Sequence, residues 1–353
     1  MDNDKLVALV LTFIALVAAA FVIYQLQVVL LPFVLALFLS TMFQPIIQFL
    51  RKRRIPQAIC ILVVLLIAGG VLLLLAGVAF SGIDAMVRAA PLYEQRLDKY
   101  VRVVVTSIES ARRSMGEQGQ PLNLRESIPI SAITGFFLSG VGSFISFVGT
   151  LVMVLLFLVF LLSGSEGFPE KLRHAFSTER SLKLGEVVAQ INLQVRRYIT
   201  AKAAVSAMAA IVVTIILLLF GVDFALFLGL LAFVLNFIPN VGSFIATVLP
   251  TLIALLQFES FGIALSIAGI IIVVQNVIGN VIEPRIMGRT LDLSPLLVLV
   301  SLIFWGWLWG IWGMVLAVPV TATLKIICEN ITDLRPIAVM MSSGSARKGK
   351  PRT

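Results

Sequence analysis

Long apolar runs decide what this chain can become. Leu6–Tyr24, Val28–Leu50, Ala58–Phe80, Phe144–Leu162, Ala203–Phe220 and Phe261–Ile282 are each close to the length that crosses a bilayer as helix, which is about 20 apolar residues. Two further apolar blocks, Ala225–Phe258 and Pro295–Ile327, are interrupted by prolines and glycines. A backbone in hydrocarbon has to satisfy its own polar groups, and runs of this length do so as helices. The expectation is an all-α, polytopic integral membrane protein. It has about six to eight transmembrane segments, one or two of them broken, re-entrant helical hairpins. Composition agrees: 59% of the 353 residues are hydrophobic and 13% charged, whereas soluble domains carry about a quarter charged residues.

Charge sets the orientation. Arg51-Lys52-Arg53-Arg54 stands between the second and third runs, and the positive-inside rule places such a loop in the cytoplasm. Both termini are then expected inside, and the basic tail with Arg335, Arg347, Lys348, Lys350 and Arg352 agrees. The net charge of +9 is thereby explained without nucleic acid as a partner. The same logic divides the chain into five parts. Residues 1–80 are three transmembrane helices and 81–143 an extracytoplasmic amphipathic segment. Residues 144–202 are a span followed by a cytoplasmic amphipathic helix. Residues 203–330 are a transport core with broken hairpins, and 331–353 a cytoplasmic tail, disordered from Ser342 on.

Within these parts, Leu97, Tyr100, Val101, Val104, Val105 and Ile108 recur at helical spacing. They predict a helix lying on the membrane or on a neighbouring subunit. Gly116–Pro121 reads as a loop and 128–143 as a short interfacial helix. Leu184, Val187, Val188, Ile191, Val195 and Tyr198 form a second helical face that runs on into the span from Ala203. Lys202 marks the entry of that span and is expected to snorkel. Pro45 is expected to kink or end the second span.

The candidate site lies where polar residues enter hydrocarbon. Ala225–Phe237 has about 20 Å of helix, short of the roughly 30 Å core. Asn236-Phe237-Ile238-Pro239-Asn240-Val241-Gly242-Ser243 then breaks it. A hairpin that enters, turns within the membrane and returns is expected. Irregular backbone at that depth is tolerated where it is buried in protein or lines water, so Asn236, Pro239, Asn240, Gly242 and Ser243 become pathway candidates. The amides could equally cap the two half-helices. On the next span Asn276, Asn280 and Glu283 share one helical face, with Gln275 and Gly279 on the adjacent stripe. Such a stripe is expected to face the bundle interior, either as inter-helix glue or as solute contact. Glu283 and Arg285 flank Pro284 and could form a gate, a carboxylate for H⁺ or Na⁺, or a structural pair. The block Pro295–Ile327 repeats the pattern around Trp305–Gly313, as a second hairpin or as two full spans.

Several chemistries drop out. The chain has no GxxxxGK[ST] for ATP and no HExxH. Its single histidine, His174, cannot build a multi-histidine metal site. Cys60 and Cys328, both inside apolar runs, read as packing residues. No cofactor and no catalytic residue are expected.

These motifs together resemble one family. Val29-Leu30-Leu31-Pro32-Phe33-Val34-Leu35-Ala36 with Pro45, the basic cluster and Pro56 is similar to the start of the autoinducer-2 exporter family, the PerM/TqsA-like permeases. The most specific matches are 230–243 around Asn236-Phe237-Ile238-Pro239-Asn240-Val241-Gly242-Ser243, and Gly279-Asn280-Val281-Ile282-Glu283-Pro284-Arg285-Ile286-Met287-Gly288-Arg289. The block 291–319, with Val318-Pro319, completes the likeness, which is closest to the TqsA branch. The resemblance implies a secondary transporter of the bacterial inner membrane, homo-oligomeric and pentameric, exporting a neutral polyhydroxylated furanone, the quorum-sensing signal autoinducer-2. Other branches imply a Na⁺(Li⁺)/H⁺ antiporter instead. Membrane lipid and a small polar solute are the expected partners.

Overall fold

A computed structural model describes residues 3–114, 149–164, 168–287 and 292–343. The expected loop at 116–121, the interfacial helix at 128–143, Gly288, Arg289 and the tail beyond Ser343 lie outside the described residues. Twelve α-helices account for nearly everything described. They are α1 (Asn3–Gln25), α2 (Gln27–Lys52), α3 (Gln57–Ser114), α4 (Gly149–Gly164), α5 (Phe168–Ala175) and α6 (Thr178–Leu219). There follow α7 (Ala225–Leu235), α8 (Val241–Phe258), α9 (Phe261–Val277), α10 (Glu283–Met287), α11 (Pro295–Asn330) and α12 (Arg335–Met341). Among the described residues, six helices are long and apolar enough to cross a membrane, while α4 and α7 are apolar but shorter. The chain is thus an all-α, multi-pass membrane protein.

The helices form two compact units. The first contains residues 1–71, 150–205 and 281–353, the second 72–149 and 206–280. In the first unit, α2, the start of α3 and α4 meet in a core of Ala36, Phe43, Ile61, Val64, Ala68, Val154, Leu158 and Leu162. Phe33 meets Phe157 edge to face. Pro45 does not end α2, which continues to Lys52. A second cluster joins Phe38 of α2 and Val195 of α6 to Leu308, Trp309 and Leu316 of α11.

The element α11 folds back on itself. Gly310 has φ 62° and ψ −143°, a backbone region that is essentially closed to residues with a Cβ. Trp305 Nε1 donates to Thr321 Oγ1 at 3.3 Å, although 16 residues of straight helix would part them by about 24 Å. The Trp305 carbonyl oxygen lies 1.8 Å from where a Cβ on Gly313 would be. The expected second break is therefore a turn between two antiparallel legs. Ser294 caps the first leg by accepting from the Leu297 N–H at 3.2 Å, and Pro295 opens it.

The same unit holds the end of the described chain. Lys325 is buried and donates to the Asp292 carbonyl oxygen at 2.8 Å and its carboxylate at 3.1 Å. Ser343 donates to the other oxygen of that carboxylate, and Ser294 N–H to the Met341 carbonyl oxygen at 3.0 Å. Burial opposes ionisation of Asp292, but the hydrogen bonds from Ser343 and Lys325 and the charge of Lys325 outweigh it and hold the carboxyl below the usual carboxylate range. A depressed carboxyl contributes stability that is fully present above its unfolded titration, near about pH 4, and lost as pH falls through the lower folded value. Docking of 335–343 should therefore loosen in acid and stay constant from pH 5 to 8. Spin labels at 296 and 339, both exposed positions, would show the distance between them broaden only at the acid end.

In the second unit, α7, α8 and α9 follow one another as antiparallel neighbours. The amphipathic stretch around 97–108 is no separate helix. It continues α3, which is 58 residues long with Pro91 inside. Rather than facing lipid alone, it grips the turns at one end of the hairpin. Arg96 donates to the last carbonyls of α8, Leu256 at 3.0 Å and Gln257 at 2.7 Å, where a cation offsets the helix dipole. Tyr93 donates to Asp223 at 2.7 Å, Lys99 pairs with Glu259, and Tyr100 meets Phe261 edge to face. Gln257 ties the two turns together, donating to the Gly221 carbonyl oxygen and accepting from the Asp223 N–H, both at 2.7 Å.

Candidate functional site

The break between α7 and α8 is built from five residues. The N–H of Val241 reaches back to the Pro239 carbonyl oxygen at 2.7 Å, which closes a three-residue γ-turn around Asn240. Asn240 takes φ 61° and ψ −50° there, the rare and strained form of that turn. Its side chain makes no capping bond. Asn240→Gly should therefore raise stability by about 1 kcal/mol by releasing the backbone strain, whereas Asn240→Val should lower it. Thermal unfolding of the purified variants would check both signs.

Asn236 bonds outside the hairpin, and the hydroxyls bond within it. Asn236 is buried and its Nδ2 donates to Ser206 Oγ at 3.3 Å. Ser243, Thr247 and Thr251 each donate to a carbonyl oxygen one turn earlier, at 3.0, 2.9 and 2.7 Å. Hydroxyls bonded this way cross hydrocarbon at little cost. Capping by the amide of Asn240 is thus not what holds the turn; the backbone does it.

The polar stripe of α9 divides. Ala264, Ile267, Ile271 and Gln275 make its buried face, and Ile278 extends it. Asn276 and Asn280 are exposed. The expected inward stripe is therefore turned outward at these two residues. They form a ladder on their own helix: Asn280 Nδ2 donates to Asn276 Oδ1 at 3.1 Å, and Asn276 Nδ2 to the Ile272 carbonyl oxygen at 2.9 Å. Gln275 is the opposite case. It is only 7% exposed, and among the described residues both Oε1 and Nε2 lack a partner.

Between α9 and α10 the chain winds wide, as a π-turn over Ile278–Ile282. Such turns insert one extra residue into a helix and recur at functional sites. Beyond it, in the first unit, Glu283 Oε1 meets Lys202 Nζ at 2.5 Å. The Lys202 side chain is 3% exposed and that of Glu283 24%. Tyr198, one turn before Lys202, is buried as well. Two expectations are corrected here. Lys202 is buried and paired, not snorkelling, because α6 places it inside its unit with an acid in reach. Glu283 takes Lys202, not Arg285, as its partner; Arg285 and Pro284 are both exposed. Lys202 and Ser206 are the residues that sequence reasoning missed. Their i, i+4 spacing on one helix face was the available signal.

The structure thus holds, in its described residues, broken helices, an asparagine ladder on α9, an unpartnered buried glutamine and a buried ion pair. Among the described residues, no cluster of His, Cys, Asp and Glu could hold a metal ion. The profile of the AI-2E family transporters matches residues 11–333. The chain belongs to the AI-2E transporter family. TqsA, the AI-2 transport protein of Escherichia coli K12, is 30% identical over 314 residues, covering 89% of each chain. YhhT of the same strain is 28% identical over 347 residues, 98% of this chain and 95% of its own. A Borreliella burgdorferi protein is 30% identical over 311 residues, 88% of this chain and 83% of its own. The last two are named for transport without a substrate. As a member of this family the chain is a transporter, and its pathway candidates sit on α7–α10.

Proposed function

We propose that this AI-2E family transporter exports a small neutral polar signalling molecule, autoinducer-2 first among them, by secondary transport across the bacterial cytoplasmic membrane. The observation that carries the reading is the α7–α8 break: a strained turn flanked by Asn236, Pro239, Asn240, Gly242 and Ser243, with no charged residue in it. Neutral hydroxyl-bearing solutes suit hydrogen-bonding groups without fixed charge. The name of TqsA, at 30% identity, points the same way. In this reading both hairpins are re-entrant and both termini face the cytoplasm. Copies of the chain assemble as a homo-oligomer, and Gln275, Asn276, Asn280, Glu283 and Arg285 border the path.

The antiporter alternative would need Glu283 for H⁺ or Na⁺. That carboxylate is engaged by a buried lysine, an arrangement that favours a structural ion pair over an exchangeable cation site. Reconstituted vesicles decide between them. The export reading expects labelled autoinducer-2 to move in vesicles with protein and not in empty ones, and no Na⁺-dependent proton movement. Sodium-driven proton flux without autoinducer-2 movement would overturn it.

A further inference from the structure

Gln275 is placed where an apolar residue belongs. It continues the buried face Ala264, Ile267 and Ile271 on α9, and Ile278 comes after it. Yet its amide, with one acceptor oxygen and a two-proton donor, is buried and, among the described residues, neither end is bonded. The neighbouring polar groups of the same unit are satisfied: Asn236 by Ser206, Thr247 by Ser243, Asn276 by Ile272. A buried amide with no partner destabilises a fold, so its presence calls for a group that bonds it at some stage.

Its height in the unit says which group. Helices α8 and α9 run antiparallel from the turn at Glu259 and Ser260. Equal rise along both legs brings Gln275 level with Phe244, about 23 Å from that turn and within one helical turn of the α7–α8 break. The buried residues of α8 at that height are Gly242 and Ala246, the smallest side chains available. A long amide thus stands at the height of two small residues and a strained turn.

We propose that Gln275 is the internal binding station of the transported solute: its amide donates to and accepts from one small, neutral molecule that carries both kinds of group, such as a vicinal diol. This rests on the export reading and narrows it, because it puts the contact on the buried face of α9 and not on the exposed Asn276–Asn280 ladder.

The test replaces the amide by a side chain of the same length without hydrogen bonds, Gln275→Met, with Gln275→Leu as a second variant. Both are purified, melted, and reconstituted with labelled autoinducer-2 and, separately, labelled glycerol. An unpartnered amide predicts that both variants melt at or above the wild-type temperature. A solute contact predicts that flux of the transported probe falls at least about tenfold, the loss expected for one or two hydrogen bonds. A lower melting temperature in both variants would mean that the amide is bonded within the fold, and would overturn the assignment. Normal melting with normal flux would leave a buried water as its only partner, and would overturn it equally. If wild-type protein moves neither probe, the export reading itself falls, and this assignment with it.

Discussion

Glu283→Gln is expected to lower the stability of the purified protein by about 3–5 kcal/mol, because it leaves the Lys202 ammonium buried without a counter-charge. The two ends of the pair are not equivalent. The Lys202 side chain is 3% exposed and that of Glu283 24%, so an orphaned Glu283 can still recruit water. Lys202→Met should accordingly cost less than Glu283→Gln. The double variant Lys202→Met with Glu283→Leu should recover most of the loss, since it removes both charges and keeps the volume. Thermal unfolding of the four proteins would show this order. A Glu283→Gln variant as stable as wild type would refute a structural pair.

Gly242→Ala is expected to break the hairpin between α7 and α8. A Cβ at Gly242 would lie 1.7 Å from the Leu235 carbonyl oxygen and 2.4 Å from its carbon. Both are backbone atoms at a helix end, so no side-chain rotation relieves the clash. The helix ends would have to part, stretching the bond from Gly242 N–H to the Ile238 carbonyl oxygen, now 3.1 Å, and that from Ile238 N–H to Leu235, now 2.8 Å. Overpacking of this kind costs about 1–3 kcal/mol or more. Because the displacement falls on the break itself, flux should be lost by more than the melting temperature alone would suggest. Gly242→Val should be worse on both measures. Vesicle flux and unfolding temperature from one preparation would test this, and unchanged values for Gly242→Ala would contradict the close approach.

Most of the architecture is legible in the sequence. The two breaks, at Asn236–Ser243 and around Gly310, stand out because proline, glycine and amides interrupt apolar runs too short to span. The passage from the 184–198 face into the span beginning at Ala203 is legible as one helical pattern, and α6 carries it without interruption. The extent of α3 is less so: the face around 97–108 has the right period, but nothing local says that the helix starting at Gln57 reaches it unbroken through Pro91. The site is legible in residue type and only partly in arrangement. Asn276 and Asn280 are expected to face inward, yet they bond to each other and to Ile272 on an exposed face. Their polarity is met within the helix, so they need no interior.

What the sequence alone determined is the class of protein: an all-α multi-pass architecture, the positions of the two breaks and the family. Length, periodicity and proline or glycine placement are local properties, and hydrocarbon leaves a backbone few other options. What only the tertiary structure decided is pairing and burial. Lys202 finds Glu283 81 residues away, Asn236 finds Ser206 30 residues away, and the buried amide of Gln275 finds no partner among the described residues. Such outcomes depend on how the helices pack, which is not written in the local pattern.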